Sequence, residues 1–124
     1  MADEKNYENK IKKFLKSEEC WHLKYWAGGG FTKSGIPDLL ICCNGHFIGA
    51  EVKAKTGKPS ELQIRELKKI QEAGGIGILL FPDDYITFTD LIRYLKEGNE
   101  IQADLCRQAL EEQVEVWREK YQII

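Results

Sequence analysis

The dipeptide Asn44-Gly45 separates two apolar stretches, Asp38–Cys43 and Phe47–Lys53, and its position binds the fold more tightly than any other local signal. Asn-Gly fills the two central positions of a tight hairpin turn, where both φ angles are positive and only two residues join the strands. Cys43 then faces His46, and Asp38 falls opposite Glu51, with their Cβ atoms about 5 Å apart. Side chains alternate along a strand, so Phe47, Gly49, Glu51 and Lys53 share one face and Ile48, Ala50 and Val52 the other. The second face is apolar and belongs to a core. The first ends in a carboxylate and an ammonium, with Gly49 removing bulk beside them.

The remaining elements fall on either side of this hairpin. Residues 4–16 place Tyr7, Ile11, Phe14 and Leu15 at helical spacing, and Glu8 lies on or beside that buried stripe. Residues 20–26 form an aromatic-rich strand. Gly28-Gly29-Gly30, with Phe31 to Gly35, forms a flexible loop that carries Lys33; it lacks the spaced Gly-Lys-Ser/Thr ending of a P-loop. Ser60 is placed to cap a helix, with Gln63 three residues later in a capping-box arrangement. Leu62, Ile64, Leu67 and Ile70 supply that helix with an apolar side. The uninterrupted run Ile76–Phe81, bounded by glycine and Pro82, is the pattern of a strand covered on both faces. Thr89 caps a short helix ending near Gly98, and a last helix over about 100–122 carries Ile101, Leu105, Ala109, Val114, Trp117 and Tyr121 along one side. The order α-β-β-β-α-β-α-α predicts an α/β fold with a mixed sheet flanked by helices.

At 124 residues the chain fits one domain over 1–124, with a core at about 4–81 and a helical extension at about 89–122. No run is long and apolar enough for a membrane span, and Met1-Ala2-Asp3-Glu4-Lys5 lacks the apolar centre of a signal peptide, so a cytoplasm is expected. Cys20, Cys42, Cys43 and Cys106 form no C-x-x-C pair and read as free thiols rather than zinc ligands. The net charge of −2 excludes blanket attraction to nucleic acid. Its distribution is uneven: residues 1–69 hold 13 Lys/Arg and 9 Asp/Glu, whereas residues 70–124 hold 5 and 11. One part of the surface is therefore better suited to a polyanion than the other.

Two carboxylates at the separation expected for Asp38 and Glu51 repel unless a cation lies between them. A divalent ion such as Mg²⁺ takes oxygen ligands and keeps several waters, and the backbone carbonyl of Val52 is a further donor. An ion in that position polarises a phosphodiester and lowers the pKa of a bound water. Lys53, on the same face, is placed to steer that water or to stabilise charge developing on phosphorus.

Ile36-Pro37-Asp38, twelve residues, then Glu51-Val52-Lys53 resembles the PD-(D/E)xK nuclease signature. The flanking Ser34-Gly35 and Leu39-Leu40, the following Ala54-Lys55, and Ser60-Glu61-Leu62-Gln63 with Gly74-Gly75 make the chain similar to the virus-type replication-repair nucleases, the VRR-NUC group, over about residues 4–81. The resemblance implies a restriction-endonuclease-like core, dependence on Mg²⁺ with Mn²⁺ as a substitute, and hydrolysis of DNA in duplex or branched form. It implies that Asp38, Glu51 and Glu8 bind metal, that Lys53 assists catalysis and that Gln63 belongs to the site. Lys33, Lys55, Lys58 and Arg65 are candidate phosphate contacts. The C-terminal part, with Trp117 and Tyr121, is a candidate homodimer interface. Two alternatives stand beside this reading: a DNA-binding or assembly module that keeps the fold without cutting, and a hydrolase of small phosphate esters. No organic cofactor is expected.

Overall fold

The computed structural model describes residues 2–26 and 33–123. Eight main elements follow in chain order: α1 (Ala2–Ser17), β1 (Trp21–Lys24), β2 (Leu39–Cys43), β3 (His46–Val52), α2 (Glu61–Glu72), β4 (Ile76–Leu80), α3 (Tyr85–Glu97) and α4 (Glu100–Tyr121). The strands form one sheet in the order β1-β2-β3-β4. β1, β2 and β3 are antiparallel neighbours, and β4 joins β3 in parallel through the α2 crossover, so the sheet is mixed.

The hairpin register is the one its turn dictates. Cys43 pairs with His46 and Leu39 with Ala50. Asn44 (φ 48°) and Gly45 (φ 83°) both adopt positive φ, as a two-residue turn of matching twist requires. Alternation then sorts the side chains. Leu39, Ile41, Cys43, Ile48, Ala50, Val52, Ile76, Ile78 and Leu80 bury into a core closed by Tyr7, Ile11, Phe14 and Leu15 of α1 and by Phe88, Leu91, Ile92 and Leu95 of α3. On the other face α2 covers β3 and β4 through Ile64 and Leu67 against Leu79. It comes in close because that part of the sheet carries glycine. A Cβ on Gly49 would lie 2.6 Å from Ile70 Cδ1, and one on Gly77 would run into the Leu67 backbone.

Two C-terminal expectations change. α3 begins at Tyr85, directly after a 3₁₀ turn over Pro82–Asp84, and Thr89 is buried inside it, its hydroxyl donating to the Ile86 carbonyl at 2.9 Å. Asp84 accepts the Phe81 N–H at 2.8 Å and starts the helical turn ahead of Tyr85. On α4 the buried positions are Ala103, Leu110 and Val114, whereas Ile101 is 76% and Leu105 56% exposed. Ile101 and Val114 are thirteen residues apart, roughly 140° around a helix, so the single apolar side expected from sequence is two different faces. Trp117 and Tyr121, both half-buried, pack with Val114 against α2 of the same chain. Among the described residues no helix is long and apolar enough to cross a membrane. The triple glycine and Phe31 lie outside the described residues.

Candidate active site

Asp38 is the last residue before β2, and its carboxylate takes over where the β2–β3 ladder ends. Oδ2 accepts the Val52 N–H at 3.0 Å, which ties the acid to the strand carrying Glu51 and Lys53. Glu51 is 1% exposed. One of its oxygens, Oε2, accepts from the Gln63 side-chain amide at 2.8 Å and lies 3.3 Å from Lys53 Nζ. The other, Oε1, is buried and has no hydrogen-bond partner among the described residues. An orphaned carboxylate oxygen in that setting is costly unless it is protonated or ligated. Accordingly, burial and then the negative charge of Asp38 push the Glu51 carboxyl up to about 8, against the pull of Lys53.

Gln63 works at both ends. Its Oε1 accepts the Ser60 N–H at 2.8 Å while Ser60 Oγ accepts the Gln63 N–H at 3.1 Å, completing the capping box. Its Nε2 simultaneously reaches Glu51. The cap and the site contact, which sequence presents as alternatives, hold at once.

Glu8 reaches the same place from α1 and is buried on the sheet-facing side of that helix. Its carboxylate meets two lysines, Lys24 Nζ at 2.7 Å and Lys12 Nζ at 3.6 Å. Lys24 also lies 3.4 Å from Asp38 Oδ1. Sequence reading missed this residue. Burial disfavours its charge, but the hydrogen bond from Glu8 and the charges of Asp38 and Glu8 outweigh that and hold its pKa above the ordinary lysine value. The signal that would have found it is the β1–β2 register, in which Lys24 pairs with Leu39, the neighbour of Asp38.

The proposed phosphate contacts divide. Lys55 and Lys58 are exposed on the loop that leaves β3 beside the site. Lys33 is exposed but ion-paired with Glu66 at 3.2 Å. Arg65 is paired with Glu61 at 2.8 Å. It stands two residues from Gln63, about 200° around α2, and so faces away from the carboxylates. His46 opens β3 at the end away from Glu51 and Lys53, and His22 Nδ1 bonds the Cys20 carbonyl; neither joins the cluster.

Among the described residues no three His, Cys, Asp or Glu side chains are gathered as a ready-made cation cluster. What the fold presents is a pair, Asp38 and Glu51, with one buried oxygen that has no hydrogen-bond partner among the described residues. Magnesium, which is held by one or two carboxylates with water completing the shell, suits such a pair. Comparison of the chain with family models, curated proteins and solved structures returned no match.

Proposed function

We propose that this chain is a Mg²⁺-dependent deoxyribonuclease with a restriction-endonuclease-like core of the VRR-NUC kind, an endonuclease on duplex or branched DNA. The observation that carries the reading is Glu51 Oε1: a buried carboxylate oxygen without a hydrogen-bond partner among the described residues, beside a second carboxylate and a lysine. In this reading Asp38 and Glu51 hold the cation, with Mn²⁺ able to replace Mg²⁺ and the Val52 carbonyl as an additional donor. When bound, the ion supplies polarisation of the phosphodiester and a more acidic water. Lys53 Nζ, already at the rim of the pair, donates to the attacking water or to a phosphate oxygen. Gln63 holds the Glu51 carboxylate through Oε2, which would leave Oε1 available to the ion. Lys55 and Lys58 meet the DNA backbone as it crosses the site, with Lys33 joining once it releases Glu66.

The test is cleavage of plasmid, linear, flap and four-way substrates with Mg²⁺, with EDTA, and by Asp38→Ala. Cutting that requires the metal and fails in the variant is expected. DNA binding without cutting under every metal condition would favour a non-catalytic module, and turnover of small phosphate esters without DNA affinity would favour the third reading.

A further inference from the structure

Three acids meet at the site, Glu8, Asp38 and Glu51, and the protein sets a cation of its own against each of them. Lys53 stands against one oxygen of Glu51, and Lys24 stands between Glu8 and Asp38, at 2.7 Å and 3.4 Å. Backbone geometry fixes Lys24 there. It is the last residue of β1, paired with Leu39, and the next residue, Tyr25, donates its N–H to the Asp38 carbonyl at 2.9 Å. The Trp26 ring, 5.4 Å from Nζ, flanks the ammonium. Any cation that ligated both Glu8 and Asp38 would have to occupy the space this ammonium fills. The second oxygen of Glu8 lies nearest Lys12, and Asp38 Oδ2 is bonded to Val52 N–H. Among the described residues, Glu51 Oε1 is the oxygen of the acid set left without a hydrogen-bond partner.

We propose that Lys24 is a built-in substitute for a second divalent cation: it neutralises Glu8 and Asp38 and restricts the site to a single metal ion, shared by Asp38 and Glu51. The inference rests on the metal-dependent reading above and deepens it. Lys24 is a positioning residue here, and Glu8 is its anchor rather than a metal ligand.

The experiment is Mn²⁺ titration of the full chain without DNA, followed by calorimetry and by the paramagnetic resonance of free Mn²⁺. Wild type is expected to bind one ion per chain, as is Lys24→Arg. Lys24→Gln is expected to bind two, and the Lys24→Gln/Glu8→Gln double variant one again. A role that was only structural would lower affinity without changing the number of sites. Two ions in wild type, or one in a folded Lys24→Gln, would overturn the proposal. Should Lys24→Gln fail to fold, Glu8→Gln decides alone: one ion at affinity within about threefold of wild type is expected, and a loss of tenfold or more, the range seen when a group that supports the metal is removed, would make Glu8 a ligand and sink the idea. Absence of any Mn²⁺ binding to wild type would instead remove the metal-dependent reading itself.

Discussion

Glu51 gives the site a pH signature that can be read without substrate. An acid whose folded pKa lies at about 8, above the ordinary 4.5, takes up a proton on folding between those values. The contribution of Glu51 to the stability of the metal-free protein is therefore full below pH 4.5, falls as pH climbs towards 8, and levels off above. Each pKa unit corresponds to about 1.4 kcal/mol, so the loss amounts to a few kcal/mol. Thermal unfolding at about pH 5 and about pH 9 should show it. Glu51→Gln should flatten the curve, and added Mg²⁺ should restore stability at the alkaline end; a wild-type melting point that rises with pH would contradict this. Lys53→Met should lower the cleavage rate about 10²–10³-fold while leaving Mn²⁺ affinity nearly unchanged. At this level much of the site was legible. Asp38, Glu51 and Lys53 follow from one turn and the alternation of a strand. Lys24 does not, because the stretch between β1 and β2 contains no signal that sets their register, and a lysine at a strand end is otherwise unremarkable.

Among the elements, α2 links stability to chemistry, since one amide caps the helix and holds the carboxylate. Two substitutions separate the roles. Ser60→Ala should cost about 1 kcal/mol of stability and leave cleavage close to wild type. Gln63→Ala should cost a comparable amount and also about 10–100-fold in activity or metal affinity, because Glu51 loses its hydrogen-bonded support. Equal activities for the two variants would separate Gln63 from the site. Gly77→Ala, which drives a methyl group into the Leu67 backbone, should destabilise by about 1–3 kcal/mol or more and lift α2 from the sheet, as melting temperature would show. The sequence made α2, its cap and the hairpin readable because capping and turn residues are local signals. The starts and faces of α3 and α4 were less readable. Thr89 has the chemistry of a cap, but tertiary packing buries it. The apolar residues of α4 divide between the protein core and open surface, so periodicity alone could not choose the buried side.

For the molecule as a whole, the open surface is uneven. Trp21 and Leu23 on β1 and Phe47 on β3 are 59%, 50% and 43% exposed on the sheet face that α2 leaves uncovered, and β1 is an edge strand. This face is a second candidate, beside the C-terminal helix, for the contact of the proposed homodimer. Light scattering at micromolar concentration should give twice the 14.3 kDa of one chain, and Trp21→Ser/Leu23→Ser should halve it. A wild-type particle of one-chain mass would end the dimer. The other end of the fold has its own bearing on the site. α4 joins both cores, through Ala103 and Leu110 in one and Val114 in the other, and the Tyr121 hydroxyl donates to the Pro59 carbonyl just ahead of the Ser60 cap. The tail of the protein thus acts as a splint on the loop that delivers Lys55 and Lys58. A protease nick that trimmed those turns of α4 would leave Asp38, Glu51 and Lys53 in place and still let the backbone in front of α2 drift.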